Sequence, residues 1–352
     1  MNASLEQAAA RMVGLRYRPM ENHVKLGWLA SHESNQPEDL IDQAVRAEEV
    51  GFDVVFASDH FHPWVDQDSA SGFVWTWFGA AAALTKRVEF ATSVTSPLYH
   101  YHPAMIAQAA ATVDRLSNGR FFLGVGTGEN INEGPMGFNF PGYKERIARM
   151  GEALEIMHRL FAGEKVDFDG EFYTADKAKL YSPPVSNVPI YMAAGGPKSA
   201  TFAGLHADGI TTSVKDPADT MERVITPFHA ASAEAGRGKL PVMCTRWVVW
   251  GENDDEAWAA LASMRGLRAP GRLEAVDPMV LRQRADELDR DEVLGQFTVV
   301  SSVDELIAAY APIITDIGAD YVSIQVASVD LMATIDMVGN DVLPALRQLE
   351  RP

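Results

Sequence analysis

Apolar residues recur along the chain in two alternating patterns, short continuous runs and longer segments with helical spacing. Short runs bounded by turn residues indicate buried strands, whereas apolar positions three and four residues apart indicate amphipathic helices. The predicted strands are Val24–Ala30, Asp53–Ala57, Val88–Ser93, Arg120–Val125, Val188–Ala193, Gly209–Thr212, Pro241–Trp250 and Tyr321–Ala327. The predicted helices are Pro37–Val50, Phe73–Leu84, Pro103–Leu116, Tyr143–Phe161, Lys198–Leu205, Pro217–Ala235 and Leu331–Leu349.

This alternation predicts the fold class, an α/β protein. Repeated strand–helix units favour a parallel sheet, and about eight of them favour a closed (β/α)8 TIM barrel over an open sheet. Residues 164–175, with Asp169-Gly170 as a turn, are predicted to form a β-hairpin insertion. Residues from 254 to about 312 are too long for one crossover and are predicted to form a mostly helical insertion. Residues 1–22 are predicted to be an N-terminal extension, and residues 1–352 a single domain.

Composition narrows the possible partners. The formal net charge of −18 argues against nucleic acid and against anionic membrane surfaces, so an anionic ligand would need a local basic pocket. A single cysteine, Cys244, suits a reducing compartment. The sequence shows no signal peptide and no apolar run long enough for a membrane helix, so we expect a cytoplasmic protein that acts on a small molecule.

Residues whose side chains can take part in catalysis or ligand binding cluster where the predicted strands end. The second strand runs to Ala57 and is followed at once by Asp59, His60 and Trp64. The carboxyl ends of the strands form the active face of a β/α barrel, so these side chains are candidates for catalysis. The other strand ends add Glu33, Ser93, Val94, Thr95, Gly128, Glu129, Asn132, Ala194, Gly195, Gly196, Thr212 and Lys215.

Glycines among these residues suggest a ligand with a flat or phosphorylated part. Gly124, Gly126 and Gly128 would let such a ligand approach the backbone, although Glu129 stands where a dinucleotide fingerprint needs a third glycine. The pair Gly195-Gly196 precedes a predicted helix, whose free N–H groups could hold a phosphate. Both segments could equally be tight turns.

A metal site is the alternative interpretation of the second strand end. His60-x-His62 could bind a metal as in barrel hydrolases, but such a site needs further ligands from later strands. The remaining candidates are His100 and His102 near the third strand, together with His158 and His206 inside predicted helices. We therefore predict no metal site.

Four segments carry a resemblance to a known family. They are Ser-Asp-His-Phe-His-Pro-Trp (58–64), Thr-Ser-Val-Thr-Ser-Pro (92–97), Gly-Val-Gly-Thr-Gly-Glu-Asn-Ile-Asn-Glu (124–133) and Ala-Ala-Gly-Gly-Pro (193–197). Over roughly residues 24–347 the chain resembles the luciferase-like TIM-barrel superfamily, and within it the branch of coenzyme F420-dependent oxidoreductases typified by glucose-6-phosphate dehydrogenase. The resemblance implies a luciferase-like (β/α)8 barrel, a homodimer, and hydride transfer between a substrate carbinol and the deazaflavin C5.

The resemblance also implies roles for single residues. His60 would remove the hydroxyl proton, Glu129 would donate a proton to the cofactor, and Trp64 and Glu33 would line the reacting centre. Contacts to the cofactor would come from Asp59, Ser93, Val94, Thr95, Gly128, Asn132, Ala194, Gly195 and Gly196, with the peptide Ser93-Val94 in the cis form and Gly195-Gly196 in the phosphate loop.

The residues at the family's substrate-binding positions differ in part from the family pattern. The sugar-phosphate enzymes hold the phosphate with a threonine, two lysines and an arginine, and Thr212 and Lys215 match two of these. Arg272 stands where the second lysine would be, and Gln296 where the arginine would be. Loss of a guanidinium removes bidentate phosphate binding, which argues against glucose 6-phosphate. Another sugar phosphate, a secondary alcohol, or reduction of a carbonyl or enone all stay open.

Two further alternatives share the fold or the ligand. A flavin mononucleotide (FMN) monooxygenase of the same superfamily would use reduced flavin and oxygen, and would have no use for the pair His60 and Glu129. A non-catalytic cofactor-binding protein would bind without turnover and would tolerate replacement of His60.

Overall fold

The computed structural model describes residues 23–352, so the predicted N-terminal extension lies outside the described residues. Nine strands form one sheet and two form a separate hairpin. The strands of the described chain are β1 (Lys25–Ala30), β2 (Val54–Ala57), β3 (Glu89–Thr92), β4 (Phe121–Val125), β5 (Val166–Asp169), β6 (Thr174–Ala178), β7 (Ile190–Ala193), β8 (Gly209–Ser213), β9 (Val242–Trp250), β10 (Thr298–Val300) and β11 (Tyr321–Ala327).

Eight of these strands close into a parallel barrel in the order β1-β2-β3-β4-β7-β8-β9-β11, and β11 pairs with β1 to complete the ring. This confirms the predicted (β/α)8 fold class. The closing register sets Lys25 opposite Tyr321 and Gly27 opposite Ser323. Closure removes the exposed edges that an open sheet would leave to other chains.

Helices occupy the crossovers between the strands. They are α1 (Pro37–Val50), α2 (Val74–Leu84), α3 (Pro103–Leu116), α4 (Asn130–Glu133), α5 (Tyr143–Phe161), α6 (Pro197–His206), α7 (Pro217–Thr220), α8 (Thr226–Glu234), α9 (Asp254–Ala260), α10 (Pro278–Asp286), α11 (Arg290–Leu294), α12 (Val303–Thr315), α13 (Leu331–Met337) and α14 (Leu343–Leu346). Five of the longer helices start with proline in the first turn, where its missing N–H costs nothing. Among residues 23–352, no helix has both the length and the apolar character needed to cross a membrane.

Side chains of each strand alternate between two cores. In β1, Leu26, Trp28 and Ala30 face the helices, whereas Leu29 points into the barrel. The inner core is built from Leu29, Val54, Phe56, Ala91, Phe122, Tyr191 and Met243. Phe122 is its centre, with ring centroids 5.1 Å from Tyr191, 5.0 Å from Tyr321 and 6.1 Å from Phe56. This aromatic layer fills one end of the barrel and leaves the other end for a cavity.

The hairpin insertion is longer than predicted. Strands β5 and β6 pair antiparallel and extend from Val166 to Ala178, beyond the predicted range of 164–175. Asp169 and Gly170 do not form the turn alone, because the connection runs through residues 170–173. The Glu152 carboxylate of α5 accepts backbone N–H groups of Glu171, Phe172 and Tyr173 at 2.7–3.1 Å. This tertiary contact fixes the wider turn.

The segment after β9 also differs from its prediction as a mostly helical insertion ending near residue 312. It contains α9, a 3-10 turn at Arg265–Arg268, α10 and α11, but then forms the strand β10. Strand β10 pairs parallel with the outer end of β9, where Thr298 lies opposite Val248. The following helix, α12, belongs to the barrel crossover. The insertion therefore ends at β10.

Replacement of Phe122 by alanine tests the inner aromatic core. Phe122→Ala is expected to lower the free energy of unfolding by about 3–5 kcal/mol, because it leaves a cavity among three aromatic rings. Urea unfolding followed by far-UV circular dichroism measures this loss. Tyr181→Ala is the control, since Tyr181 is 86% exposed and its loss should change stability by less than about 0.5 kcal/mol. Equal effects of the two substitutions would contradict the assignment of Phe122 to the core.

His32 gives the fold a predictable pH dependence. Its ring is fully buried against Trp77, with Nδ1 3.1 Å from the carbonyl oxygen of Gly72. Burial lowers the pKa of His32 from 6.5 to about 4. Between these values the unfolded chain binds the proton and the folded chain does not, so stability falls as the pH drops.

His32→Asn keeps a donor for the Gly72 carbonyl and removes the titration. Relative to this variant, the wild-type protein should lose about 2 kcal/mol of unfolding free energy between pH 7 and about pH 5. Urea titrations at the two pH values measure the difference. Parallel pH profiles for both proteins would rule out the assignment.

Candidate active site

A cavity of about 450 Å³ opens at the carboxyl ends of the barrel strands, as the sequence predicts for a β/α barrel. Most of the predicted site residues line it, namely Glu33, Asp59, His60, Trp64, Ser93, Val94, Thr95, Gly128, Glu129, Asn132, Ala194, Gly195, Thr212 and Arg272. Three do not line it. Gly196 lies next to the wall, Lys215 is exposed at the rim, and Gln296 is exposed.

His60 presents one ring nitrogen to the cavity. Its Nδ1 lies 3.0 Å from the carbonyl oxygen of His62, which can only accept a hydrogen bond. In the neutral ring the proton therefore resides on Nδ1, and Nε2 carries the free lone pair. The ring packs edge-on against Trp64, with centroids 5.0 Å apart. His60 is thus oriented as a proton acceptor.

Glu129 faces His60 from the loop after β4, two strands along the barrel from β2. Its Oε2 lies 4.0 Å from His60 Nε2. Its other oxygen, Oε1, accepts a hydrogen bond of 2.8 Å from Arg272 Nη1, and the same guanidinium stands 5.3 Å over the ring of Trp64. His60, Trp64, Glu129 and Arg272 therefore form one connected group in the cavity wall, drawn from the loops after β2 and β4 and from the insertion.

Asp59 and Glu33 form the acidic part of the wall. Asp59 accepts a hydrogen bond from the Thr95 hydroxyl, and Glu33 accepts one from the Ser58 hydroxyl. Burial raises the pKa of the Asp59 carboxyl, and the Thr95 hydrogen bond acts in the opposite direction. An acid whose ionised form is destabilised in this way can also donate a hydrogen bond to a ligand.

The loop that carries His60 is held by two acceptors from elsewhere in the chain. Asn132 Oδ1 accepts the backbone N–H groups of Phe61 at 3.0 Å and of His62 at 3.3 Å. The Nδ1 of His62 lies 3.0 Å from the carbonyl oxygen of Val276 in the insertion. The amide oxygen of Asn132 thus serves the protein itself, while the residue, predicted as a cofactor contact, lines the cavity. Among residues 23–352, no group of three or more His, Cys, Asp or Glu side chains is arranged to hold a metal ion.

Gly124, near the end of β4, and Gly126, just after it, make room for a neighbouring segment of the chain. A Cβ on Gly124 would lie 2.1 Å from the Thr92 carbonyl oxygen, and one on Gly126 would lie 2.7 Å from Val94 Cγ2. They make room for the segment after β3, whose Ser93–Val94 peptide is cis, as predicted. Gly128 has a φ of +80°, and its α-carbon faces Glu133. The glycines therefore shape the wall by letting two loops pack closely.

The Gly195-Gly196 segment leaves open space. A Cβ added at either position would meet no atom within 4 Å among residues 23–352, and helix α6 begins directly behind it. The start of a ten-residue helix with room in front can accept an anion. Elsewhere in the cavity wall, the hydroxyl of Ser96 is buried without a hydrogen-bond partner in the described structure. Such an unpaired donor suits a polar ligand.

Several lining residues were not among the predicted catalytic, cofactor or substrate residues. His100, considered only as a possible metal ligand, pairs with the buried Glu133 at 2.7 Å, and Ser58 links Glu33 to the backbone of His32. Arg268 and Gln325 line the cavity from the insertion and from β11. Glu133 and Ser58 lie inside the motifs that carried the family resemblance, so those motifs could have indicated them. No local signal marks Arg268, because its position depends on how the insertion folds back.

The sequence profile of the luciferase-like monooxygenase family matches residues 23–321. The F420-dependent glucose-6-phosphate dehydrogenase of Nakamurella multipartita is 37% identical, over 93% of this chain and 97% of its own. The enzyme of the same name from Mycolicibacterium gilvum is 38% identical, over 93% and 99%.

Solved structures of two F420-dependent enzymes share the fold of this chain. An F420-dependent secondary alcohol dehydrogenase in complex with an F420-acetone adduct superimposes with a TM-score of 0.86, at 32% identity, over 93% of this chain and 100% of its own. The coenzyme F420-dependent tetrahydromethanopterin reductase of Methanopyrus kandleri shares the fold, with a TM-score of 0.75 at 21% identity. The chain therefore belongs to the luciferase-like monooxygenase family, in the branch that contains the F420-dependent glucose-6-phosphate dehydrogenases.

Proposed function

We propose that this protein is a coenzyme F420-dependent dehydrogenase that oxidises the CH–OH carbon of a small hydroxylated substrate. The observation that carries the proposal is the pair His60 and Glu129, whose facing atoms stand 4.0 Å apart across the cavity. Alcohol oxidation needs a base for the hydroxyl proton, and a histidine with a free Nε2 is suited to this at neutral pH.

The cavity wall supports the choice of cofactor. The open Gly195-Gly196 segment at the start of α6 would hold the cofactor phosphate, and the Ser93–Val94 segment would lie against the ring. The unpaired Ser96 hydroxyl and the Asp59 carboxyl, both in the cavity wall, offer polar contacts. When bound, F420 supplies a hydride acceptor at C5 of the deazaflavin.

His60 and Glu129 would then each handle one of the two protons of the reaction. His60 Nε2 would accept the hydroxyl proton as the carbinol carbon loses its hydride, so that the substrate leaves as a carbonyl compound. Glu129 would hold the proton that the reduced cofactor requires, and Arg272 fixes its carboxyl group in place. Trp64 would close one side of the site and exclude water, since it is buried between His60 and Arg272.

The relatives support oxidation at a CH–OH group. Two of them are glucose-6-phosphate dehydrogenases, and a structural neighbour is a secondary alcohol dehydrogenase. All three depend on F420. The homodimer and the cytoplasmic location that the resemblance implies stay predictions.

Replacement of His60 tests the proposed base. His60→Ala should lower kcat by about 10²–10⁴-fold, because no other group takes the hydroxyl proton. The affinity for F420 should stay within a few-fold of wild type. Turnover is followed by the loss of absorbance of oxidised F420 with a panel of sugar phosphates and secondary alcohols.

The neighbouring histidine provides the matched control. His62 belongs to the same loop, but its Nδ1 contacts the Val276 carbonyl, and it does not line the cavity. His62→Ala removes one contact of the loop with the insertion, but it keeps the His62 carbonyl that accepts from His60 and the backbone N–H groups bound by Asn132, so it should keep most of the turnover. If His60→Ala is as active as wild type, the assignment of His60 as the base is wrong.

Titration with two cofactors tests the proposed ligand. Cofactor fluorescence is expected to report binding of F420 at about micromolar concentrations or tighter, with much weaker binding of FMN. Tighter binding of FMN would instead favour the monooxygenase alternative. Binding of F420 without turnover of any CH–OH compound would favour a non-catalytic binding protein.

A further inference from the structure

A second histidine lines the cavity besides His60. His100 belongs to the segment between β3 and α3, and its side chain is 15% exposed. Its Nδ1 lies 2.7 Å from Oε2 of Glu133. The ring also packs against Tyr101, with ring centroids 4.0 Å apart. His100 therefore has a fixed orientation, although the proton transfers proposed for His60 and Glu129 make no use of it.

The partner of His100 is a carboxyl group that is completely buried. Glu133 has no exposed surface, and among residues 23–352 His100 is its sole ion-pair partner. Its other oxygen, Oε1, has no hydrogen-bond partner in this part of the chain. A buried carboxylate without a counter-charge is costly, so the pair is expected to retain one proton between its two members.

This shared proton determines which group His100 presents to the cavity. When Glu133 is ionised, the charged ring of His100 donates from Nδ1 to the carboxylate and carries its other proton on Nε2. When the proton lies on Glu133 instead, the carboxyl group donates to Nδ1, and the neutral ring again carries its proton on Nε2. Nε2 is open to the cavity and has no hydrogen-bond partner among residues 23–352. His100 thus offers a hydrogen-bond donor, whereas Nε2 of His60 offers a lone pair.

The position of His100 connects this donor with the cofactor. Residues 93–96 of the same segment line the cavity, and the proposed function places Ser93–Val94 against the deazaflavin ring. Burial is the main cause that raises the pKa of the neighbouring Asp59, and the charge of His100 acts against it, which shows that the two side chains are close. Reduction adds an electron pair to the ring and makes its oxygen atoms stronger acceptors. A donor in this wall would therefore bind reduced F420 more tightly than oxidised F420.

We propose that His100 donates a hydrogen bond from Nε2 to a ring oxygen of the bound deazaflavin and thereby favours its reduced form, with Glu133 as the positioning residue that keeps the shared proton. The identity of the cofactor rests on the proposed function. By favouring the reduced cofactor, the pair assists oxidation of the substrate on the protein.

Anaerobic calorimetric titration with oxidised and, separately, with reduced F420 tests the proposal without any turnover. The quantity compared is the ratio of the two dissociation constants, oxidised over reduced. His100→Asn keeps a donor for Glu133 at the position of Nδ1 but has no atom at Nε2, so it should lower this ratio by about tenfold. For a two-electron couple, this corresponds to about 30 mV in the reduction potential of the bound cofactor. His100→Gln should keep part of the ratio, because its amide group can reach the position of Nε2.

A purely structural role of the pair predicts a different result. If His100 served only as the counter-charge of Glu133, His100→Asn would lower the melting temperature and leave the ratio at its wild-type value. The double variant His100→Asn/Glu133→Gln contains no unpaired carboxylate, so it permits the measurement where the single variant folds poorly. It should show the same lowered ratio.

His102, in the same segment, provides the matched control. It caps α3, where its Nδ1 accepts the backbone N–H of Ala104 at 3.1 Å, and it does not line the cavity. Asparagine also caps helices well, so His102→Asn should keep both the fold and the wild-type ratio.

Two results would overturn the proposal. A wild-type ratio in both His100→Asn and the double variant would exclude the pair from cofactor binding and leave the proposed function intact. Failure of the wild-type protein to bind F420 in either form would refute the proposed function as well.

Discussion

The contact between the loop after β2 and the insertion after β9 holds the candidate active site together. Gly266 has no space for a side chain because the carbonyl oxygen of Trp64 occupies it. Arg272 lies over the ring of Trp64 and binds Glu129, and Val276 accepts from His62. The barrel alone would supply His60 and Glu129 on two strand ends. The insertion keeps both loops in one arrangement and covers them from solvent.

The barrel interior is divided along its axis into an apolar and a polar part. Around Phe122, aromatic rings fill one end and stabilise the closed sheet. At the other end, polar side chains such as Thr212, Thr245 and Gln325 face the cavity although they are buried. Parallel strands make this division possible, because all of them end at the same rim. Stability and ligand binding are thus assigned to different layers of the same eight strands.

The sequence was sufficient for the barrel and for most of the cavity lining. Buried strands and amphipathic helices leave different periodicities, and the rule that strand ends form the active face placed Asp59, His60 and Glu129 correctly in the cavity wall. Features that depend on distant contacts were not accessible in this way. The hairpin turn follows from Glu152, and β10 exists because β9 extends far enough to pair with it.

The residues predicted to bind the substrate show the same limit of prediction from sequence. Gln296 was matched by spacing through a segment whose length varies, and the structure gives it no place in the cavity. Arg268 lies four residues before Arg272 and was not recognised, because only the folded turn brings it to the wall. Spacing along a chain predicts neighbours within regular elements, but it does not predict them within an irregular insertion.

The position of the arginines outside the repeating strand–helix units bears on how such enzymes diversify. Arg268 and Arg272 belong to the insertion, whereas His60, the Ser93–Val94 segment and Gly195 belong to the barrel. Mutation or exchange of the insertion can therefore change the charge offered to a substrate while the barrel side of the cavity keeps its shape. Lineages that share this barrel can acquire new substrates by evolving one segment, provided that a residue equivalent to Gly266 still lets it seat on the β2 loop.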